Sequence, residues 1–121
     1  MGSIVELTLQ VRTHGESAVL DCTGRLTGVF SRYLFIETVE GLLERHRSVV
    51  LNLECVEKVD ASALGAIASC VRCAIEHGST IRCFGAKKQV RQMLEVTRLA
   101  SFLKFYDSER EAVASVNACA A

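Results

Sequence analysis

The sequence predicts an α/β protein with a mixed sheet of four to five strands, an N-terminal hairpin and about four helices. After two strands joined by a short turn, apolar runs typical of strands alternate with segments of helical periodicity, which indicates parallel central strands. The chain has 121 residues, and 50% of them are hydrophobic. This length and composition are typical of one folded domain. We expect a single domain over residues 1–121, with an ordered core over about 4–117.

The hairpin is predicted from alternation. Residues 4–12 alternate between apolar and polar side chains, as in a strand with one buried face. The inward-facing side chains would be Val5, Leu7, Leu9 and Val11. A turn over 13–16 is short enough for an antiparallel hairpin with a second strand over 18–22. Gly24 is expected to end this strand.

The first helix is expected to be capped by Thr27 and to run to about Arg47. Its core-facing stripe at helical spacing would be Phe35, Ile36, Val39, Leu42 and Leu43. Phe30 and Leu34 project away from this stripe. They are therefore candidates for an exposed binding patch, unless they are ordinary surface residues.

A near-continuous apolar run over 49–53 predicts a central strand covered on both faces. A loop over 54–60 leads to a second helix that Ser62 opens and that ends near His77, where Gly78 takes the C′ position. The core-facing residues of this helix would be Leu64, Ile67, Val71, Ala74 and Ile75.

The remaining pattern predicts a strand over 80–84, a helix over 87–97 and a short edge strand over 102–105. Residues 108–111 read Ser-Glu-Arg-Glu, a capping box before a last helix that reaches about Asn117.

The charge balance argues against several classes of protein. With 14 basic and 14 acidic residues the formal net charge is zero, so the footprint of a nucleic-acid binder is missing. The basic stretch 87–91 lacks interleaved aromatic residues and is interpreted as a solvated helix face. No apolar run reaches the roughly 20 residues that span a bilayer, and the N-terminus does not resemble a signal peptide. We expect a cytoplasmic protein without direct membrane insertion.

The sequence contains six cysteines, at positions 22, 55, 70, 73, 83 and 119, most of them within the apolar runs of predicted strands and helices. We interpret them as buried, reduced thiols of a cytoplasmic protein. Cys70 and Cys73 lie in mid-helix, whereas a redox pair lies at a helix start, where the dipole lowers the thiol pKa. His77 follows Cys73 at i+4, but a fourth metal ligand is not evident. A cysteine-based redox or metal sensor remains an alternative, and we expect no metal and no cofactor.

Enzyme signatures are absent from the sequence. No glycine-rich phosphate loop with its lysine is present. Ser62 lies at a strand-to-helix junction, as a hydrolase nucleophile does, but Ala61 and Ala63 flank it where a nucleophile elbow has glycines. We therefore expect no catalytic residues.

The segment 59–66 is unusually rich in small residues, which leave a helix entrance with little side-chain cover. A partner's backbone could approach Ser62 closely here. A serine at a helix start is ordinarily a cap, but an exposed hydroxyl on a bare surface is also a good kinase substrate. From the residues alone, both interpretations stay open.

Three segments share a pattern with one family: Asp60-Ala61-Ser62-Ala63-Leu64-Gly65 after an apolar strand, the charged stretch 86–99 that ends Leu-Glu-Val-Thr-Arg-Leu, and 105–108 before the capping box. In these segments and in element order the chain resembles the STAS domains of bacterial anti-sigma-factor antagonists. That family carries Asp-Ser-Ser-Gly-Leu-Gly at the helix start, and Ser62 matches the serine that the family phosphorylates.

The resemblance implies a function without catalysis. The unmodified chain would bind a serine-kinase anti-sigma factor and release sigma, and phosphorylation at Ser62 would switch it off, with a serine phosphatase as a further partner. The implied partner-binding residues are Asp60, Ala61, Ser62, Ala63, Gly65, Thr27, Phe30 and Leu34. The alternative is a STAS accessory or scaffold subunit of a transporter or signalling assembly that is not phosphorylated.

The chain departs from the family pattern at three positions. Ala61 replaces a serine, and Ala63 replaces a glycine, which stiffens the helix start because alanine is the better helix former. Where the family often has Gly-x-Leu-Asp, this chain reads Gly24-Arg25-Leu26-Thr27. Thr27 can still cap a helix, but it carries no negative charge.

Overall fold

The computed structural model describes the backbone of residues 7–120, and the side chains of that range except those of 100 and 117–120. The elements, in chain order, are β1 (Leu7–His14), β2 (Ser17–Leu26), α1 (Gly28–Arg45), β3 (Ser48–Val59), α2 (Ala61–His77), β4 (Thr80–Phe84), α3 (Lys88–Glu95), a 3-10 turn (Arg98–Ser101), β5 (Lys104–Tyr106) and α4 (Glu109–Ala120). The predicted α/β class with a five-stranded mixed sheet and four helices is confirmed.

The five strands form one sheet in the order β1-β2-β3-β4-β5. β1 and β2 are antiparallel, and every other neighbouring pair is parallel. The carboxyl ends of β2, β3 and β4 therefore meet at one edge of the sheet. We call this the carboxyl edge; α1, α2 and α3 all begin there.

Helices cover both faces of the sheet. α1, α2 and α3 share one large core with the sheet, whose large buried side chains include Phe35, Leu43, Leu51, Ile67 and Leu94. On the other face, Ala112 and Val113 of α4 pack on Val19, Val50 and Phe84. Alternate residues of β3 thus face two apolar layers, which explains its unbroken apolar run.

Two strands extend further than predicted. β2 continues past Gly24, and the predicted loop over 54–60 is wrong because β3 continues to Val59. The register shifts where Asp21 and Thr23 pair with Asn52 and Cys55, so β3 carries an extra residue there. Gly24, with φ 109°, lies at a second shift instead of ending the strand.

Several smaller predictions also need correction. α1 ends at Arg45, and the helix predicted over 87–97 is shorter. Val11 is exposed because β1 is the edge strand, whereas α1 and α2 lie over β2, β3 and β4. Ile75 is 59% exposed because Ala74 takes the inward position and Ile75 lies 100° further around α2. Residues 4–6 lie outside the described part of the chain.

α4 is joined to the hairpin by a charged network. The guanidinium of Arg12 donates to Asp21 at 2.7 Å and to Glu109 at 2.8 Å, and His14 Nδ1 lies 2.6 Å from Glu109 Oε2. The hydrogen bonds from Arg12 lower the pKa of Glu109 to about 2 and also lower the pKa of Asp21. At the same end, Ser108 Oγ accepts from Glu111 N, as the capping box predicts.

Acid should therefore weaken the attachment of α4. The pKa of Glu109 is about 2 in the folded chain, against an ordinary 4.5. Its contribution to stability is complete above the unfolded value and is lost as the pH falls toward about 2. We expect Glu109→Gln to lower the free energy of unfolding at neutral pH. The difference in free energy of unfolding between the variant and the wild type should become smaller as the pH falls from 4.5 toward about 2. Urea unfolding across that range measures the effect.

Glu95→Gln is the matched control, because Glu95 forms an exposed i,i+4 pair with Arg91. Such pairs contribute only about 0.3–0.5 kcal/mol. A Glu109→Gln effect that stays constant from neutral pH to about pH 2.5 would contradict the assignment.

Candidate functional site

One carboxylate joins the first turns of two helices at the carboxyl edge. Asp60 occupies the N-cap of α2, and its Oδ1 accepts a hydrogen bond from Ala63 N at 3.1 Å. Its Oδ2 accepts from the backbone N–H of Gly28, the first residue of α1, at 3.1 Å. The start of α1 and the start of α2 are therefore held side by side.

The expected cap of α2 is wrong, and the expected cap of α1 is confirmed in position only. Ser62 is the second residue of α2 and lies after the cap. Thr27 occupies the N-cap position of α1, but its side chain makes no capping hydrogen bond. Asp60 provides the side-chain hydrogen bonds expected of both residues: one oxygen caps α2, and the other accepts the first backbone N–H of α1. The half-buried Ser62 hydroxyl makes no hydrogen bond within the described part of the chain, so it has no structural partner to lose.

The small residues around Ser62 differ in their exposure. Ala61 and Gly65 are exposed, and a Cβ placed on Gly65 would meet no atom beyond its own stretch of helix backbone within 4 Å. Ala63 is only 1% exposed, so its side chain packs in the core and is not available to a partner. The surface at the start of α2 therefore consists of Ala61, Ser62 and Gly65, with little cover.

Exposed apolar side chains lie at the start of α1. Val29 and Phe30 are each 78% exposed, and Tyr33 is 63% exposed. We call these three residues the α1 patch. Phe30 belongs to it as the sequence predicted, but Leu34 is half-buried. The sequence analysis did not assign Val29 and Tyr33 to an exposed patch. In the structure Ser31 and Phe35 are buried, so the opposite side of the first turns faces outward and carries Val29, Phe30 and Tyr33.

A groove of about 470 Å³ lies between the carboxyl end of β3 and α3. Its walls are Glu57, Lys58, Val59, Gln89, Val90, Gln92, Met93 and Val96. Val59 immediately precedes Asp60, so the groove borders the start of α2.

Of the six cysteines expected to be buried, Cys22, Cys70 and Cys83 are buried, Cys73 is half-buried and Cys55 is exposed, while the side chain of Cys119 lies outside the described part of the chain. Burial raises the pKa of Cys22 and Cys83 to about 12, and it also raises the pKa values of Cys70 and Cys73. A raised pKa disfavours the thiolate that redox chemistry and metal binding require. Within residues 7–120, apart from the side chains left undescribed, no three His, Cys, Asp or Glu residues cluster as metal ligands.

No helix in the described range is both long and apolar enough to cross a bilayer.

The fold and the bare helix start define a small α/β domain with a lightly covered surface at its carboxyl edge. The chain belongs to the STAS domain family, whose family model matches residues 8–112. The resemblance seen in the sequence is therefore confirmed at the level of the family.

Solved structures of anti-sigma factor antagonists share this fold. A putative antagonist from Thermotoga maritima has a TM-score of 0.80 and 22% identity, covering 90% of this chain and 94% of its own. An antagonist from Mycobacterium paratuberculosis has a TM-score of 0.79 and 16% identity, and the match covers 92% of this chain and 94% of the antagonist. The phosphorylated form of SpoIIAA, a Bacillus cell fate determinant, has a TM-score of 0.70 and 15% identity, and the match covers 90% of this chain and 99% of SpoIIAA. No curated protein matches this chain in sequence.

Proposed function

We propose that this chain is an anti-sigma-factor antagonist that binds a serine-kinase anti-sigma factor and thereby releases sigma. Phosphorylation of Ser62 switches the binding off, and a serine phosphatase restores it. The observation that carries the proposal is the Ser62 hydroxyl, which lies between Ala61 and Gly65 on a bare helix start and holds nothing else in place. The family to which the chain belongs supports the same function.

The position of Ser62 suits a local switch. A phosphoserine carries about −1.5 to −2 charges at neutral pH. Ser62 lies in the first turn of α2, where the helix dipole favours an anion. The fold therefore tolerates the modification. The phosphate instead fills the space that a partner's backbone would occupy, and it adds repulsion next to the Asp60 carboxylate.

The α1 patch supplies the apolar part of the proposed contact. The hydrogen bond from Gly28 N to Asp60 holds the start of α1 beside the start of α2. The first turn of α1, which carries Val29 and Phe30, therefore lies beside the first turn of α2, and we expect a partner seated on the patch to reach Ser62 as well. The proposed activity is binding alone, with no catalytic role for any residue of this chain.

The test is capture of the protein from its native cells, followed by mass spectrometry of the captured chains and of Ser62. We expect a kinase-type anti-sigma factor among the captured chains, and we expect the purified kinase with ATP to modify Ser62 only. Capture of transporter or scaffold subunits, with Ser62 unmodified by the kinase, would instead support the accessory-subunit alternative.

A further inference from the structure

β3 extends beyond β4, which leaves part of one edge of β3 without a neighbouring strand. The pairing of β3 with β4 ends at Asn52, whereas its pairing with β2 continues to Val59. After β4, Gly85 takes a φ of 75° and lies so close to Glu54 that an added Cβ would overlap with that side chain. The chain then leaves the sheet and enters α3. From Cys55 onward, the edge of β3 that faces away from β2 therefore has no strand beside it in the described part of the chain.

The backbone along this stretch carries unused hydrogen-bonding groups. Alternate N–H and C=O groups of a strand point to its two opposite edges. Apart from its ladder with β2, the backbone of residues 55–59 makes no backbone–backbone hydrogen bond within the part of the chain that the structure describes. A strand edge of this kind is a ready template for pairing with another chain. We call residues 55–59 the free edge of β3.

The groove of about 470 Å³ between β3 and α3 runs along this free edge. Its walls on the β3 side are Glu57, Lys58 and Val59. Glu57 and Lys58 are exposed, whereas Val59 is buried in the core, so the groove reaches both sides of the strand. A groove that touches both sides of one strand must pass along its edge, and β2 already occupies the other edge. We call it the β3–α3 groove.

The opposite wall of the β3–α3 groove is one face of α3. Gln89, Gln92, Met93 and Val96 recur there at intervals of three and four residues. Val96 is 83% exposed and Met93 is half-buried, so this wall presents open apolar surface. The helix rises by about 10 Å from Gln89 to Val96, which equals the length of about three residues of an extended strand.

We infer that an extended segment of a partner protein binds in the β3–α3 groove and joins the sheet as a strand beside β3. Its backbone pairs with the free edge of β3, and its apolar side chains pack on Val59, Met93 and Val96. A peptide in strand conformation supplies both the backbone donors and acceptors and the alternating side chains that such a site requires. The inference goes beyond the proposed function, because it involves neither Ser62 nor the α1 patch.

The walls of the groove also indicate the chemistry of the bound segment. Glu57 and Lys58 are the charged residues among them, and their charges cancel. A segment without net charge therefore suits the groove better than an acidic or a basic one. The amide groups of Gln89 and Gln92 can both donate and accept hydrogen bonds, as the outer edge of an added strand requires. The volume lies within the 300–1,000 Å³ that is usual for ligand sites.

The experiment uses NMR and amide hydrogen exchange on the isotope-labelled chain. The probe is a synthetic uncharged peptide, Ser-Gly-Thr-Val-Thr-Val-Thr-Gly-Ser, with blocked ends. We expect it to shift amide signals of residues 55–59 and 89–96. Exchange of the free-edge amides that point into the groove should become slower, because these groups gain hydrogen bonds.

Two N-methylated versions of the peptide distinguish strand addition from a general apolar contact. One version is methylated at the first, third and fifth residues of its Thr-Val-Thr-Val-Thr stretch, and the other at the second and fourth. Because alternate backbone groups of a strand point to opposite edges, only one of the two sets faces β3. We expect one version to bind about tenfold more weakly than the unmodified peptide and the other to keep most of its affinity.

Val96→Glu should weaken binding of the peptide about tenfold, because it places a carboxylate in the apolar contact. The matched control is Ile75→Glu, which makes the same kind of change at an exposed β-branched residue near the end of α2, far from the carboxyl edge. Both residues are more than half exposed, so both variants should remain folded.

The inference is overturned if the peptide does not bind at millimolar concentration, if both N-methylated versions bind alike, or if Val96→Glu and Ile75→Glu have equal effects. Protection of the free edge that rises with the concentration of the chain alone would identify a second copy as the occupant. Shifts of the α3 amides by the apolar dye anilinonaphthalene sulfonate, at lower concentration than by the peptide, would identify a small-molecule site. Either result would also overturn the inference.

Discussion

Ser62→Asp is expected to weaken binding to the anti-sigma factor by on the order of 100-fold, while Ser62→Ala keeps the affinity of the unmodified protein. The aspartate brings charge and volume to a surface that otherwise presents only Ala61 and Gly65 around it. Alanine removes only a hydroxyl that has no hydrogen-bond partner in the described chain. Titration calorimetry with the purified partner measures both affinities.

Stability measurements on the same variants separate a switch from a structural role. Because Asp60 caps α2, Ser62→Ala should change the free energy of unfolding by no more than about 0.5 kcal/mol. Ser62→Asp should be neutral or slightly stabilising, since a carboxylate in the first turn contributes about 0.3–1 kcal/mol. Ser101→Asp, at an exposed serine of the 3-10 turn, is the control for added charge. Equal affinities for wild type, Ser62→Ala and Ser62→Asp would leave Ser62 without a role in binding.

Asp60→Ala should have a large effect on stability, lowering the free energy of unfolding by about 2 kcal/mol. The change removes the cap of α2 and the acceptor for Gly28 N at the start of α1. One N-cap is worth about 1 kcal/mol, and a backbone donor left without its acceptor adds to the loss. Urea denaturation, analysed as a two-state transition, gives the difference.

Asp60→Asn separates the two contacts. An asparagine side chain has one acceptor oxygen and one donor group, so it can retain the bond from Ala63 N but not both bonds at once. We expect about half the loss caused by Asp60→Ala. Thr27→Ala is the matched control, because Thr27 holds the N-cap position of α1 without a side-chain bond. A loss at Thr27→Ala as large as that at Asp60→Ala would show that the carboxylate does not hold α1.

The order of the elements was predictable because each depends on residues close together in the chain. Alternation in the hairpin, the apolar run of β3 and the helical stripes are local patterns. The double cap at Asp60 was not predictable, because the contact with Gly28 joins residues 32 positions apart. Local capping preferences rank aspartate level with serine, so they did not separate Asp60 from Ser62 as the cap of α2.

The length of β3 and the α1 patch were missed for different reasons. In β3, the two extra residues, one near Cys55 and one at Glu57, place Leu53, Val56 and Val59 inward at spacings of three, which breaks the alternation that identifies a strand. In α1, the core stripe is clearest in the second half of the helix. The assignment of Val29 and Tyr33 to the outer face requires the orientation of the first turns about the helix axis, which the burial of Ser31 provides.

The second face of the sheet depends on a single short helix for its apolar cover within the described chain. Ala112 and Val113 are small, yet they shield Val19, Val50 and Phe84. A chain shortened to end before Glu109 would retain the layer of α1, α2 and α3 but leave those three side chains in water. Two truncated chains could cover these exposed apolar side chains by packing the uncovered faces of their sheets against each other. Such a truncation would therefore yield a self-associating protein instead of a smaller monomer.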